Sequence, residues 1–320
     1  MRGIVLDRAS LDNGDLDFSQ LLASLSHWTL NDGSKQDNTL ALLANAEVVV
    51  TNKILLDEKL LDQCPDLKLI CLTATGTNNV DLEAAKKNNI AVTNVTGYAT
   101  TSVVEHVFAL ILSLTRRLPE QTAAVKRGDW SRNEHFCLLD YPPQSLDGST
   151  IGIVGYGELG KAVANMAEQF GLQVLVAESL NPDHQGDQVA RTSLRQLFSK
   201  SDIISLHCPL TADTENLISQ QSLSLMKPSA ILINTARGGL VDEQALLNAL
   251  QQAKIYAAGL DVLRSEPPEG AHPLLEFEHP RLLITPHIAW ASQQARQCLI
   301  NEVAENIIAF QKGERRNRVI

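Results

Sequence analysis

The chain has 320 residues, enough for two domains with separate cores, and its 44% hydrophobic and 20% charged residues describe a globular protein, neither disordered nor fibrous. A formal net charge of −10 argues against binding a nucleic-acid backbone as the main activity. Five cysteines, at 64, 71, 137, 208 and 298, include no CxxC pair, so the sequence predicts thiols of a reducing cytoplasm, with no disulfide framework and no metal site; no signal peptide or membrane span is expected.

From the N-terminus, short apolar runs recur at helix-sized intervals: Ile4 to Leu6, Trp28 to Leu30, Val48 to Val50, Leu67 to Leu72 and Ile90 to Val95. Periodic segments such as Phe18 to Leu25 and Leu82 to Lys87 lie between them. The alternation predicts a parallel sheet of about five strands covered by helices. The loop Thr73 to Asp81 follows the fourth run. Its small residues leave backbone N–H groups open to an anion such as a carboxylate; equally, Asn78 and Asn79 make a turn and Asp81 caps the next helix.

Thr100 to Arg117 reads as one long helix with an apolar face of Val103, Val107, Leu110, Ile111 and Leu114. The residues from there to Gly148, with Pro119, Pro142 and Pro143, read as an extended loop, either an arm for a second subunit or a surface excursion.

Thr150 to Glu178 is the centre of the sequence. An apolar run breaks into Gly155-Tyr156-Gly157-Glu158-Leu159-Gly160, an amphipathic segment follows, and a second apolar run ends in Glu178, 18 residues after Gly160. Strand, glycine turn, helix, strand and acid stand in the order that a dinucleotide site needs. Gly155 allows the tight turn, Gly157 the approach of a pyrophosphate, and Gly160 close packing of helix on sheet. The helix N-terminus faces the phosphates, and Glu178 accepts from the ribose hydroxyls. Ser179, Leu180 and Asn181 add no cation for a 2′-phosphate, which Glu178 repels, so NAD is favoured over NADP.

Six strand candidates follow from Thr150 onward: 150–154, 172–177, 203–208, 230–236, 256–262 and 281–286. A helix over 242–254 takes Asp242 as its N-cap. A helix over 292–311 closes the chain and is expected to pack back on the first domain. The basic tail Lys312 to Arg318 suits the negative end of that helix better than a nucleic-acid patch. The fold class is therefore α/β, with two doubly wound parallel-sheet domains: a Rossmann cofactor domain over 100–287, inserted in a flavodoxin-like substrate domain built from 1–99 and 288–320.

Ligands of open α/β sheets sit beyond the carboxyl ends of the strands. Arg237, Asp261 and His287 end three of the strands, and Glu266 lies in the loop between the last two. Beside a nicotinamide these residues suggest reduction of a carbonyl. His287 gives a proton to the oxygen, Glu266 holds the imidazole, and the planar fork of Arg237 selects a carboxylate. His207, at the end of another strand, competes for the proton-transfer role.

With TATGTNNVDLEAA, TSVVEH, GIVGYGELGKAVA, LHCPLTADT, LINTARGGLVDEQAL, AAGLDVLRSEPP and TPHIAW in that order, the chain resembles the D-isomer-specific 2-hydroxyacid dehydrogenase family over nearly its whole length. The resemblance implies a homodimer formed through the cofactor domains and a catalytic set of Arg237, Glu266 and His287. It implies a substrate carboxylate near Thr75 and Gly76, and cofactor contacts from Glu158, Leu159, Glu178, Cys208, Pro209, Thr214, Thr235, Ala236 and Asp261. Glu178 stands where the family commonly has Asp. ATGTNNVDL and HIAWAS are most similar to the branch that reduces hydroxypyruvate to D-glycerate, with glyoxylate as a further substrate. Family members taking phosphoglycerate carry an arginine at the strand end matching Val48 to Thr51, which is uncharged here. The alternatives are another 2-oxoacid, as in a D-lactate dehydrogenase, and a non-catalytic NAD-sensing corepressor. Trp290 and the arm around Phe136 are candidates for the pocket around the substrate side chain.

Overall fold

Each apolar run of the first 99 residues forms a strand of one parallel sheet: β1 (Arg2–Val5), β2 (His27–Leu30), β3 (Val48–Thr51), β4 (Leu69–Leu72) and β5 (Ala91–Thr93), in the order β2-β1-β3-β4-β5. The computed structural model describes residues 1–33, 36–179 and 189–320, with only the backbone of 36 and 37. Leu180 and Asn181 lie outside the described residues. The chain divides into two compact units, Met1–Ala99 with Trp290–Ile320, and Thr100–Ala289.

In the first unit, alternate side chains of each strand point to opposite faces, so both faces of the sheet need cover. Ile4, Val49, Ile70 and Val92 pack under α2 (Gln36–Leu43), α3 (Glu58–Leu61) and α4 (Leu82–Lys87), through Leu43, Leu60, Leu61, Ala84 and Ala85. Val5, Val48, Val50, Leu69 and Cys71 pack on the other face against Leu21 of α1 (Ser19–Ala23) and against Leu299, Ile300, Val303, Ala304 and Ile307 of α12 (Gln293–Gln311). The last helix thus returns to the first sheet, and beyond it the Val319 N–H donates to Val92 O at 2.8 Å. Asp81 caps α4, accepting from the Ala84 N–H at 2.9 Å.

Among its described residues the second unit holds seven parallel strands, not six: β6 (Thr150–Val154), β7 (Gln173–Ala177), β8 (Arg191–Thr192), β9 (Ile203–Leu206), β10 (Ile231–Asn234), β11 (Ala257–Leu260) and β12 (Leu282–Ile284). Their order is β12-β11-β10-β9-β6-β7-β8, so the winding reverses between β6 and β9. The extra strand, β8, is two residues paired with Val176 and Ala177, too short and polar to show a strand period. Helices α5 (Thr100–Thr115), α6 (Leu118–Lys126), α7 (Glu158–Gln169), α8 (Leu194–Lys200), α9 (Gln220–Leu225), α10 (Glu243–Gln251) and α11 (Pro273–Glu276) complete the unit. The segment after α5 is not loop throughout. Arg117 turns left-handed (φ 55°) and ends α5, after which Pro119 sits in the first turn of α6, where its missing N–H costs nothing.

Candidate active site

The glycine turn closes on the reversal point. Gly155 has φ +92°, and a Cβ there would lie 2.4 Å from Cys208 N, so the turn after β6 presses on the segment after β9. A Cβ on Gly160 would lie 2.0 Å from Gly155 O, which brings α7 down onto the turn. Over Gly157 the space is open: a Cβ there meets nothing within 4 Å. Gly157 is the N-cap of α7 and supplies no side-chain cap. The first-turn N–H groups and the opening above them fit a pyrophosphate. Leu159 is half-buried in that first turn, and the carboxylate of Glu158 accepts from the Thr100 hydroxyl. Past the end of β7, Glu178 is exposed and its Oε1 accepts from the Leu194 N–H at 3.1 Å, at the start of α8. The sheet brings one cation beside this strand end that inspection of the next residues in sequence missed. Arg191 on β8 donates to Ala177 O at 2.9 Å.

The neighbouring segments are fixed from within. Cys208 is buried, and burial pushes its thiol up to about 11, which leaves it protonated and unreactive. Thr214 locks the loop after it, donating to Pro209 O at 2.7 Å and accepting from the Thr211 N–H at 2.7 Å. After β10, Asn234 accepts from the Ala236 N–H at 3.0 Å and donates to Arg237 O at 2.9 Å. The hydroxyl oxygen of Thr235 is buried without a hydrogen-bond partner among the described residues.

Glu266 and His287 meet beyond the ends of β11 and β12. His287 Nδ1 lies 2.6 Å from Glu266 Oε2, and both side chains are partly exposed. Nδ1 faces the carboxylate and so carries the proton of that bond. Glu266 Oε1 accepts from the Leu263 N–H at 2.9 Å. The pair borders a cleft of about 410 Å³, lined also by Asp261 and Thr285 and by apolar groups such as Pro267, Pro268, Leu275 and Ile284.

Asp261 holds the turn under His287. Its carboxylate is buried and accepts from the Thr285 hydroxyl at 2.6 Å and from the N–H groups of Ile288 and Ala289 at 2.9 and 2.8 Å. His106 Nε2 lies 2.9 Å from the same hydroxyl. This network supports the left-handed backbone of His287 (φ 53°), a conformation that a non-glycine residue adopts only when its surroundings over-determine it. Thr285 and His106 were missed in the sequence, although Thr285 stands two residues before His287.

Arg237 is exposed just past β10 and donates to Ala236 O at 2.6 Å. The next residue, Gly238, ties it to the Glu266 loop: a Cβ there would lie 2.0 Å from the carbonyl carbon of Leu263. His207 is placed differently. Its Nε2 lies 2.8 Å from Ser205 Oγ, and burial pulls its pKa down to about 4, so it is uncharged at neutral pH.

Thr75 and Gly76 belong to the first unit. The Thr75 hydroxyl donates to Val95 O at 2.8 Å and the Asn94 amide donates to Thr75 O at 2.7 Å, which fixes the loop. Trp290, in the same unit, meets Tyr98 edge to face. Phe136 is 90% exposed in the second. Among the described residues no cluster of His, Cys, Asp and Glu is arranged to hold a metal, and no helix is long and apolar enough to cross a membrane.

Residues 108–289 match the family described as "D-isomer specific 2-hydroxyacid dehydrogenase, NAD binding domain". The chain belongs to the D-isomer specific 2-hydroxyacid dehydrogenase family. It is similar to the glycerate dehydrogenase of Methylorubrum extorquens, 43% identical over 99% of this chain and 98% of that protein. The hydroxypyruvate reductase of Blautia hydrogenotrophica is 36% identical over 98% of both chains. The crystal structure of D-lactate dehydrogenase from Aquifex aeolicus, complexed with NAD and lactic acid, superposes with a TM-score of 0.83 at 31% identity, covering 98% of this chain and 96% of that one. As a member of this dehydrogenase family the chain is an oxidoreductase acting on a CH–OH group, with an NAD-binding domain of two-way wound parallel sheet.

Proposed function

We propose that this dehydrogenase interconverts hydroxypyruvate and D-glycerate, accepts glyoxylate as a smaller substrate, and uses NADH in preference to NADPH. The observation that carries the reading is the 2.6 Å contact of Glu266 with His287 Nδ1, an imidazole held by a carboxylate at the end of a strand. The relatives named above, a glycerate dehydrogenase and a hydroxypyruvate reductase over nearly the whole chain, support the substrate.

In this reading Thr100–Ala289 is the cofactor unit, and Met1–Ala99 with Trp290–Ile320 is the substrate unit. NADH held in the cofactor unit would supply the hydride for the substrate carbon. His287 does the matching proton work: Nε2–H gives its proton to the carbonyl oxygen, and in the other direction the neutral ring removes the hydroxyl proton. Glu266 keeps the ring oriented by accepting from Nδ1–H. Arg237 pairs with the substrate carboxylate through its planar fork. In the substrate unit, Thr75 and Gly76 offer backbone N–H groups to an anion. Gly155, Gly157 and Gly160 shape the pyrophosphate seat, with Glu158 and Leu159 in the first turn of α7. Cys208, Pro209, Thr214, Thr235, Ala236 and Asp261 line the remainder of the cofactor site, Asp261 by shaping the His287 turn. Glu178 accepts from the ribose hydroxyls and repels a 2′-phosphate.

The test is a set of initial rates with hydroxypyruvate, glyoxylate, pyruvate and 3-phosphohydroxypyruvate, each with NADH and with NADPH. Hydroxypyruvate with NADH is expected to lead, and His287→Ala to lower kcat by about 10²–10⁴-fold while NADH still binds. A lead for pyruvate would move the chain to a lactate-type activity. Absence of turnover with intact NADH binding would favour a nucleotide-sensing protein.

A further inference from the structure

Glu243 is the first residue of α10, separated by only Val241 and Asp242 from the short helix Gly238–Leu240 that follows Arg237. Its carboxylate grips the β11–β12 loop at two separated points. Oε1 accepts from the Arg264 N–H at 2.8 Å, and Oε2 lies 3.2 Å from His272 Nε2. Glu266 lies between those points. The ring of His272 has its other nitrogen, Nδ1, buried without a hydrogen-bond partner among the described residues, so Glu243 is the contact that orients it.

The grip reaches Glu266 through the backbone. Leu263 and Arg264 present consecutive N–H groups to two different carboxylates: Leu263 to Glu266 Oε1 at 2.9 Å, Arg264 to Glu243 Oε1 at 2.8 Å. The two N–H groups belong to consecutive peptide units that share the Leu263 Cα, so the two bonds fix neighbouring peptide planes. Bonds from backbone N–H to a carboxylate are charge-assisted, and an acid in the first turn of α10 is favoured by the helix dipole. Gly238 presses on the Leu263–Arg264 peptide from the Arg237 side, and the guanidinium of Arg264 is held by Glu215 at 3.1 Å and by Asn216 at 2.6 Å.

We propose that Glu243 is a positioning residue for proton transfer: by closing both ends of the loop it sets where Glu266 meets His287. The proposal rests on the reading of Glu266 and His287 given under Proposed function. It predicts that Glu243 acts through Glu266 and not through cofactor affinity.

The test is a double-mutant cycle on the full chain, with Glu243→Ala made alone and in Glu266→Gln, and with hydroxypyruvate and NADH as the assay. Glu243→Ala alone is expected to lower kcat about 10–100-fold, the cost of misplacing a catalytic group by a fraction of an ångström to an ångström. NADH affinity, read by fluorescence titration, is expected to stay within about twofold. In the Glu266→Gln background the same change is expected to lower kcat by less than about threefold, because coupled residues lose less together than the product of their separate losses. Glu243→Gln keeps an acceptor for the Arg264 N–H and is expected to retain most of the rate. His272→Ala releases one end of the loop only and serves if Glu243→Ala does not fold; a loss of kcat of about threefold or more, absent in Glu266→Gln, is the supporting result. An unchanged kcat in Glu243→Ala, or equal losses in both backgrounds, overturns the proposal while the Glu266 and His287 reading stands. A full rate in Glu266→Gln overturns that reading and the proposal with it.

Discussion

His207 and His287 both sit at strand ends, and their surroundings give them opposite characters. His287 faces the carboxylate of Glu266 and remains partly exposed. His207 faces the hydroxyl of Ser205, and burial holds its pKa at about 4, below the usual 6.5. The sign of the consequence follows from which state binds more protons. Between pH 6.5 and 4 the unfolded chain protonates this side chain and the folded protein does not, so the stability it contributes is present above 6.5 and is lost as pH falls toward 4. The loss between pH 7 and pH 5 is about 2 kcal/mol. Urea unfolding of the second unit at those two pH values is expected to reveal it, and His207→Gln, which cannot take a proton, is expected to flatten the difference by that amount.

At the scale of elements, the glycine turn separates two demands that a sequence motif merges. Gly160 is needed by the protein alone, because a Cβ there would sit 2.0 Å from Gly155 O, between a helix and the turn it rests on. Gly157 has no such neighbour, and its φ of −79° suits any residue. Its glycine serves the ligand. Gly160→Ala is therefore expected to lower stability by more than about 2 kcal/mol, as overpacking against backbone does, and to weaken NADH binding with it. Gly157→Ala is expected to leave the thermal midpoint within a few degrees while NADH affinity falls at least about tenfold, since the added methyl occupies the phosphate approach. Calorimetry with and without NADH distinguishes the two. The same scale explains what inspection of the sequence overlooked. The apolar runs of β3, β4, β9 and β10 are buried throughout and announce themselves. β8 has only Arg191 and Thr192, and its existence depends on β7 lying beside it. α6 was hidden by Pro119, which reads as a breaker until the left-handed turn at Arg117 gives the helix a new start. The same blindness applies in the site. Glu266 and His287 stand out because each is a chemical group beside a strand end, whereas Glu243, Arg264 and His272 acquire a role only from being folded onto one loop.

For the whole molecule, the segment after α6 carries the largest exposed apolar side chains of the second unit: Phe136 is 90% exposed, Leu139 72% and Trp130 51%. The Trp130 indole donates to Phe136 O at 2.8 Å, so the segment is held in shape while it presents these groups outward. Large exposed apolar groups that gather in one segment mark an interaction surface. Sedimentation at micromolar concentration of the native protein and of Phe136→Glu tests whether a second copy of the chain covers it: a dimer lost in the variant supports that occupant, and a monomer in both rejects it. The parallel sheets and their order follow from strand and helix spacing along the sequence, because parallel neighbours need a covering crossover each time. The partner surface has no comparable period, since Trp130, Phe136 and Leu139 lie at irregular intervals.

The return of α12 to the first sheet also has a temporal side. During synthesis the first 99 residues leave the ribosome with one face of their sheet only partly covered, because α1 supplies Leu21 but Leu299 to Ile307 follow only after roughly 190 intervening residues. At about 5–20 residues per second that interval lasts roughly 10–40 s, ample time for the inserted unit to complete its own core first. The unit that begins the chain is the one whose core closes last, since Val5, Val48, Val50 and Leu69 gain their α12 neighbours only when the final helix has been made.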